Sequence, residues 1–171
     1  MMRRTIDVES VRDIGALDQS AVELVREQAW LDPRNADELH DELSLLGYLT
    51  EAEAASWGEL LKGLADDLRA TKLTIMPRGA VVSPRVLWIA AERLPVFAAL
   101  FPKHEEGASL VLESPAEAPE RELGRKWERE EALRELVRGR MESLGPVTAK
   151  DLASPMGLES TEIDSALAFL E

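Results

Sequence analysis

Residues 37–42, DELHDE, hold the densest group of side chains able to move a proton or hold a metal: Asp37, Glu38, His40, Asp41 and Glu42. A carboxylate beside an imidazole is the raw material of general acid–base chemistry. The supply around it is thin, because the only other histidine is His104. Zinc-type sites draw on histidine and cysteine, and this chain has no cysteine. That also excludes disulfides and thiol nucleophiles, and two histidines leave little for a Ser-His-Asp triad. Carboxylates in the first turn of a helix complement its dipole, so this cluster reads as a solvated helix start.

The second chemistry-bearing set is basic. The net charge of −13 argues against a dedicated nucleic-acid binder, but the charge is uneven. Residues 61–103 carry 7 basic and 3 acidic side chains, and residues 121–150 carry 8 and 6, whereas residues 1–60 carry 5 and 14. Phosphate contacts are expected in the two positive stretches. Arg69, Lys72, Arg78 and Arg85 fall on or beside a predicted two-stranded ribbon, with Arg78 at its tip. Lys150 falls in a predicted second helix near the C-terminal end, and many arginines of 121–140 have i, i+4 acidic partners. Of four tryptophans, Trp57 and Trp88 sit on predicted apolar faces, while Trp127 at a helix start is a candidate for stacking on a base.

The elements that must position these residues follow from periodicity and punctuation. Ser20 with Glu23 opens a helix running to about Trp30. Asn35 caps a helix with Leu39, Leu43 and Leu46 on one face, and Gly47 ends it. Thr50 caps a short helix, and a third covers roughly Trp57 to Ala70. KLTIMPRGAVVSPRVLWIA, residues 72–90, is a hairpin broken at its tip, followed by a short helix disturbed by Pro95. Residues 102–126 are an acidic Pro/Gly linker with one apolar run, SLVLE, placed to dock as a single strand.

After the linker the chain repeats itself. Leu46-Gly47 and Thr50 recur ninety-eight positions later as Leu144-Gly145 and Thr148, and Ala55-Ser56 as Ala153-Ser154. A corner built twice predicts a mainly α fold with a small β-ribbon, arranged as tandem winged-helix-like units with the second truncated before its wing. The expected organisation is an N-terminal helical stretch over 1–33, a winged-helix-like unit over 34–101, the linker over 102–126 and a three-helix unit over 127–171. Leu167, Phe169 and Leu170 are then expected to lack covering strands, as in a fragment of a longer polypeptide.

Three stretches resemble the large helicase-related (Lhr) family of superfamily 2 helicases, downstream of the motor domains: WLDPRNADELHDELSLLGYLT (30–50), LWIAAERLP (87–95) and residues 130–171. The resemblance implies a parent that translocates 3′ to 5′ at the expense of ATP. This chain would then be a non-catalytic accessory piece, a guide for single-stranded DNA or RNA that packs on the motor domains of the same polypeptide. ATP and magnesium would belong to the motor domains alone, because no GxxxxGK[ST] loop is present here. An interaction module of the same helicase without nucleic-acid contact is the alternative, and a free-standing transcription regulator a third reading. Some relatives of tandem winged-helix arrangements are DNA glycosylases, whose sites depend on closely placed Gln or Asp. The only glutamines, Gln19 and Gln28, fall on the first predicted helix, so base excision is not expected. No run approaches the ~18 apolar residues of a membrane span, and the expected location is the cytoplasm.

Overall fold

A computed structural model of the chain describes residues 19–76, 83–102 and 109–170. The first 18 residues of the helical stretch expected over 1–33, the ribbon tip with Arg78, and His104 lie outside the described residues. The fold is mainly helical with one small antiparallel sheet. In chain order come α1 (Gln19–Ala29), α2 (Ala36–Leu46), β1 (Leu49–Thr50), α3 (Glu51–Ala54) and α4 (Gly58–Asp66). Then follow β2 (Ala70–Met76), β3 (Arg85–Ala90), α5 (Leu94–Leu100), β4 (Ser109–Leu112) and α6 (Glu120–Leu123). The last elements are α7 (Arg129–Leu144), α8 (Ala149–Ala153) and α9 (Ser160–Ala168). Among the described residues no helix is long and apolar enough to cross a membrane.

Local chemistry sets most boundaries. The Asn35 side chain accepts from Glu38 N at 2.9 Å to start α2, and Gly47, at φ 92°, closes it by donating to Leu43 O at 3.0 Å. A side chain at that φ is strained, and a Cβ on Gly47 would also press on Leu136 Cδ2. Pro95 occupies the first turn of α5, where its missing N–H costs nothing, so it starts the helix instead of disturbing it. The helix expected to reach Ala70 stops at Asp66. Leu68 turns to φ 62°, and Arg69 N donates to Leu64 O at 2.8 Å, a left-handed stop made without glycine.

The sheet order is β1-β3-β2-β4. β2 and β3 pair from Ala70↔Ala90 to Ile75↔Arg85, β1 adds Leu49↔Trp88, and SLVLE supplies β4 through pairs such as Thr74↔Val111. Alternation along the strands sends side chains to opposite faces. Ala70, Ala90 and Leu49 enter one core with Leu39, Leu43, Leu46, Leu61 and Leu64 of α2 and α4. Leu73, Ile75, Leu87 and Ile89 enter a second core with α5, α7, α8 and α9. One sheet therefore serves both three-helix groups. The apolar interior of α7–α9 is closed by the strands of the preceding segment and by Phe97 and Leu100 of α5. Leu167 packs on that core; Phe169 and Leu170 remain exposed.

The seam between the two groups is tight. A Cβ on Gly139, within α7, would overlap the carbonyl oxygen of Leu45 and crowd Leu46 at 3.2 Å. Gly63, within α4, faces open space. Gly139→Ala is therefore expected to destabilise the fold by about 1–3 kcal/mol through overpacking. Gly63→Ala should stabilise it by about 0.5–1 kcal/mol through helix propensity. Urea unfolding of both variants checks the opposite signs; equal effects would remove Gly139 from the seam.

Candidate functional site

The repeated corner is the same structure twice. Thr50 and Glu53 form a capping box: Glu53 N donates to Thr50 Oγ1 at 3.3 Å, and the Glu53 carboxylate accepts from Thr50 N at 2.7 Å. Thr148 and Asp151 repeat it, at 3.2 Å and 3.0 Å. Each box satisfies backbone donors that a helix start would otherwise leave unpaired. Each corner is also held by an arginine from elsewhere. Arg140 of α7 donates to Tyr48 O at 2.9 Å and to Glu53 at 2.6 Å, with its guanidinium 4.4 Å over the Tyr48 ring. Arg26 of α1 donates to Pro146 O at 2.9 Å. Burial pushes the Tyr48 hydroxyl up to about 12, so this phenol stays protonated and serves packing.

Both capping-box carboxylates line one cleft of about 500 Å³. α1 contributes Arg26, Glu27 and Trp30; α7 contributes Arg140 and Leu144; Val147 and Pro155 of the second corner complete an apolar side. Arg140 is 3% exposed, yet its Nε has no hydrogen-bond partner among the described residues. Asp151 is held below the usual carboxylate range, first by the Thr148 backbone donor, then by the Thr148 hydroxyl, with Arg26 and Lys150 adding positive potential. The cleft thus offers an ionised, accessible carboxylate, an indole face and two guanidinium groups over apolar walls, the mixture typical of small-ligand sites.

A second cleft of about 570 Å³ holds His40, Glu92, Arg93, Arg121, Arg125 and Trp127. Its charges are matched: His40 Nε2 lies 3.2 Å from Glu92, Arg121 also reaches Glu92, Arg93 pairs with Glu135, and Arg125 pairs with Glu131. The DELHDE cluster therefore disperses. His40 turns inward to α5's leading turn, Asp37 pairs with Arg69, and Glu38 caps α2. Among the described residues no three metal-ligating side chains sit together.

The basic candidates do not converge on one surface. Arg69 lies 2.6 Å from Asp37, and Lys72 sits 3.6 Å from both Glu51 and Glu113 and 5.5 Å from the Trp88 ring centroid. Arg85 begins β3 half-buried, with its buried Nε unpartnered among the described residues and its Cγ beside Gly157. Trp127 is half-buried on the larger core, and the Arg125 guanidinium covers its ring at 3.5 Å. Lys150 is exposed on α8 and is the candidate that stands beside the first cleft, through Asp151. Sequence reasoning missed Arg26, Trp30, Glu53, Arg140 and Asp151. A signal was present for two of them: Glu53 and Asp151 are the acidic residues three after each repeated threonine.

The carboxylates in these networks titrate in opposite directions. Glu42 is raised above its ordinary value of 4.5 by burial, then by Glu38 and Asp32, and its Oε2 is buried without a partner. A raised carboxylate disfavours the folded state once it ionises. Glu42→Gln should therefore stabilise the protein at neutral pH, with the gain vanishing as pH falls below about 4.5. Asp151, lowered from 3.8, contributes stability above that pH and loses it as pH falls through its folded value. Asp151→Asn should flatten the acid limb that Glu42→Gln leaves intact. Urea midpoints measured from neutral to acid pH check both signs; parallel behaviour of the two variants would contradict them.

No curated protein matches the chain, but the family model described as DNA glycosylase AlkZ-like matches residues 1–171. That match overturns the likeness to the large helicase-related family and the accessory-fragment function drawn from it. It also overturns the non-enzyme assignment, which rested on a missing ATPase loop and on the placement of Gln19 and Gln28. The ATPase loop has no part in hydrolysing a glycosidic bond, and the expectation drawn from the glutamines gives way to the family match. Helicase motor domains as partners find no support in the match. Two of the three segments that carried the likeness, 30–50 and 130–171, build the two capped corners, and Leu-Gly followed by Thr-x-x-acid is helix-capping chemistry, not the mark of one activity. The chain belongs to the AlkZ-like DNA glycosylase family.

Proposed function

We propose that the chain acts in DNA repair as a glycosylase, binding DNA and hydrolysing the bond between a base and its deoxyribose at the cleft between the two corners. The observation that carries this reading is the convergence of both capping-box carboxylates, Glu53 and Asp151, on one cleft with Arg26, Arg140 and Trp30. Family membership supports the reaction class. In this reaction the C1′–N bond breaks, the base leaves with the electron pair, and the sugar becomes cationic at C1′. Water then adds to C1′ and gives up a proton, leaving an abasic site and the free base. An anion fixed in advance beside the developing cation lowers the barrier. Asp151 is the carboxylate we assign to that role, because the Thr148 donors hold it ionised. Glu53 is committed to Arg140 and helps to keep the cleft wall in place.

The same reading takes residues 34–101 and 127–171 as two winged-helix-like units joined by the 102–126 segment, with the sheet shared between them. DNA would approach from the side of Lys150 and Arg26, whose charges offset the acidic surroundings. Of the ribbon residues, Arg85 is retained as a phosphate contact, whereas Arg69 and Lys72 would first have to leave their carboxylate partners. A cytoplasmic location is part of the proposal.

The test is a panel of duplexes, each with one modified base, incubated with the protein and then treated with alkali to break abasic sites. Strand scission is expected for at least one lesion. Asp151→Asn should slow it by about 10²-fold while duplex affinity changes little, and Lys150→Glu should weaken binding to every duplex. An undiminished rate in Asp151→Asn removes that residue from the reaction. No scission with any lesion contradicts the glycosylase reading of this chain.

A further inference from the structure

The cleft has one wall that neither carboxylate chemistry nor helix capping explains. Trp30, at the end of α1, packs one side against the smaller core and turns another into the cleft. Its ring is backed by Trp57, with centroids 6.3 Å apart and planes inclined at 31°. A half-buried indole braced by a second indole gives up little side-chain freedom when a ligand stacks on it, which suits a rigid aromatic anchor. Leu144, Val147 and Pro155 add an apolar surface to the same cleft. The opening of about 500 Å³ is ample for a single heteroaromatic ring system.

We propose that Trp30 is the stacking platform for a nucleobase swung out of duplex DNA, and that the cleft prefers a base carrying an exocyclic amino group. This inference rests on the glycosylase reading and deepens it. Enzymes acting on a base in a duplex must extrude it, and they hold it between aromatic or apolar side chains while polar groups read its edge. Trp30 and the Leu144–Val147–Pro155 side are those two walls. The polar groups are Glu27 and Asp151, both acceptors when ionised, so they reward an N–H donor on the base edge. Trp127 offers no such platform, because a guanidinium already occupies its ring face.

Photocrosslinking tests the assignment directly. The probe is a duplex with one 5-iodocytosine in a mismatch, which extrudes readily and carries an amino group; a fully paired duplex with the same base is the control. After irradiation at long wavelength the adduct is mapped by peptide mass spectrometry, and duplex binding is followed separately by fluorescence anisotropy. The expected adduct lies on Trp30, at least fivefold stronger with the mismatch than with the paired control. It should disappear in Trp30→Ala and largely persist in Trp30→Phe, and Trp30→Ala should weaken binding to the mismatched duplex more than to the paired one. Binding with adducts only elsewhere, or an equal yield from paired and mismatched duplexes, overturns the platform assignment and leaves the glycosylase reading standing. Failure to bind any duplex overturns both. Substituting 5-iodouracil, which presents a carbonyl in place of the amino group, should lower the Trp30 adduct; an equal yield overturns the amino preference.

Discussion

Arg140 is the point at which the two halves of the molecule become one object. Its guanidinium is buried, stacks on Tyr48, and donates to Tyr48 O and to the Glu53 carboxylate. A buried charge removed from its partner is costly, typically about 3–5 kcal/mol, so Arg140 and Glu53 hold each other in place more firmly than a surface pair would. Gly139, one residue before it, lets α7 approach the carbonyls that end α2. Leu136, a turn earlier, lies over Gly47. α7 is thus fastened along its length to the end of α2 and to the first corner. The position of Glu53 follows from that seam, and so does one wall of the cleft.

The second dependency runs in the other direction. Arg26 of α1 holds the carbonyl of Pro146 at the second corner, and Gly145 packs against Val25 and Arg26. Each corner is therefore gripped from outside its own three helices, and the cleft lies where the two grips meet. The shared sheet makes this arrangement stable, because strand alternation feeds two cores from one set of residues. A site assembled in this way depends on elements more than a hundred residues apart, and its geometry reports on the whole fold.

Much of the local structure was legible in the sequence because capping is local chemistry. Asn35, Thr50 and Thr148 are followed three residues later by acidic side chains, and all three start helices where that pattern places them. The ribbon and the docked SLVLE strand were legible from β-branched runs and turn residues. What was not legible is non-local. Strands apolar on both faces carry no sign of which helices they serve, so the apolar face of α7–α9 was read as uncovered. Helix ends without glycine, such as the turn at Leu68, leave no compositional mark. The cleft was hidden for a related reason: Trp30 follows a helix with no buried residue, and only the fold brings it into one cleft with Asp151. The likeness to a helicase arose from the same source, since corners that cap alike look alike whatever the protein does.

The central claim is that DNA is received at the junction of the two corners. Hydrogen–deuterium exchange of the chain with and without saturating mismatched duplex tests it most directly, because it reads every peptide without presuming a residue. Residues 19–31, 47–57 and 145–156 are expected to gain protection together, with little change in the sheet that already lies between two cores. Protection confined to residues 70–90, with the corners exchanging as in the free protein, would place DNA on the ribbon and contradict it.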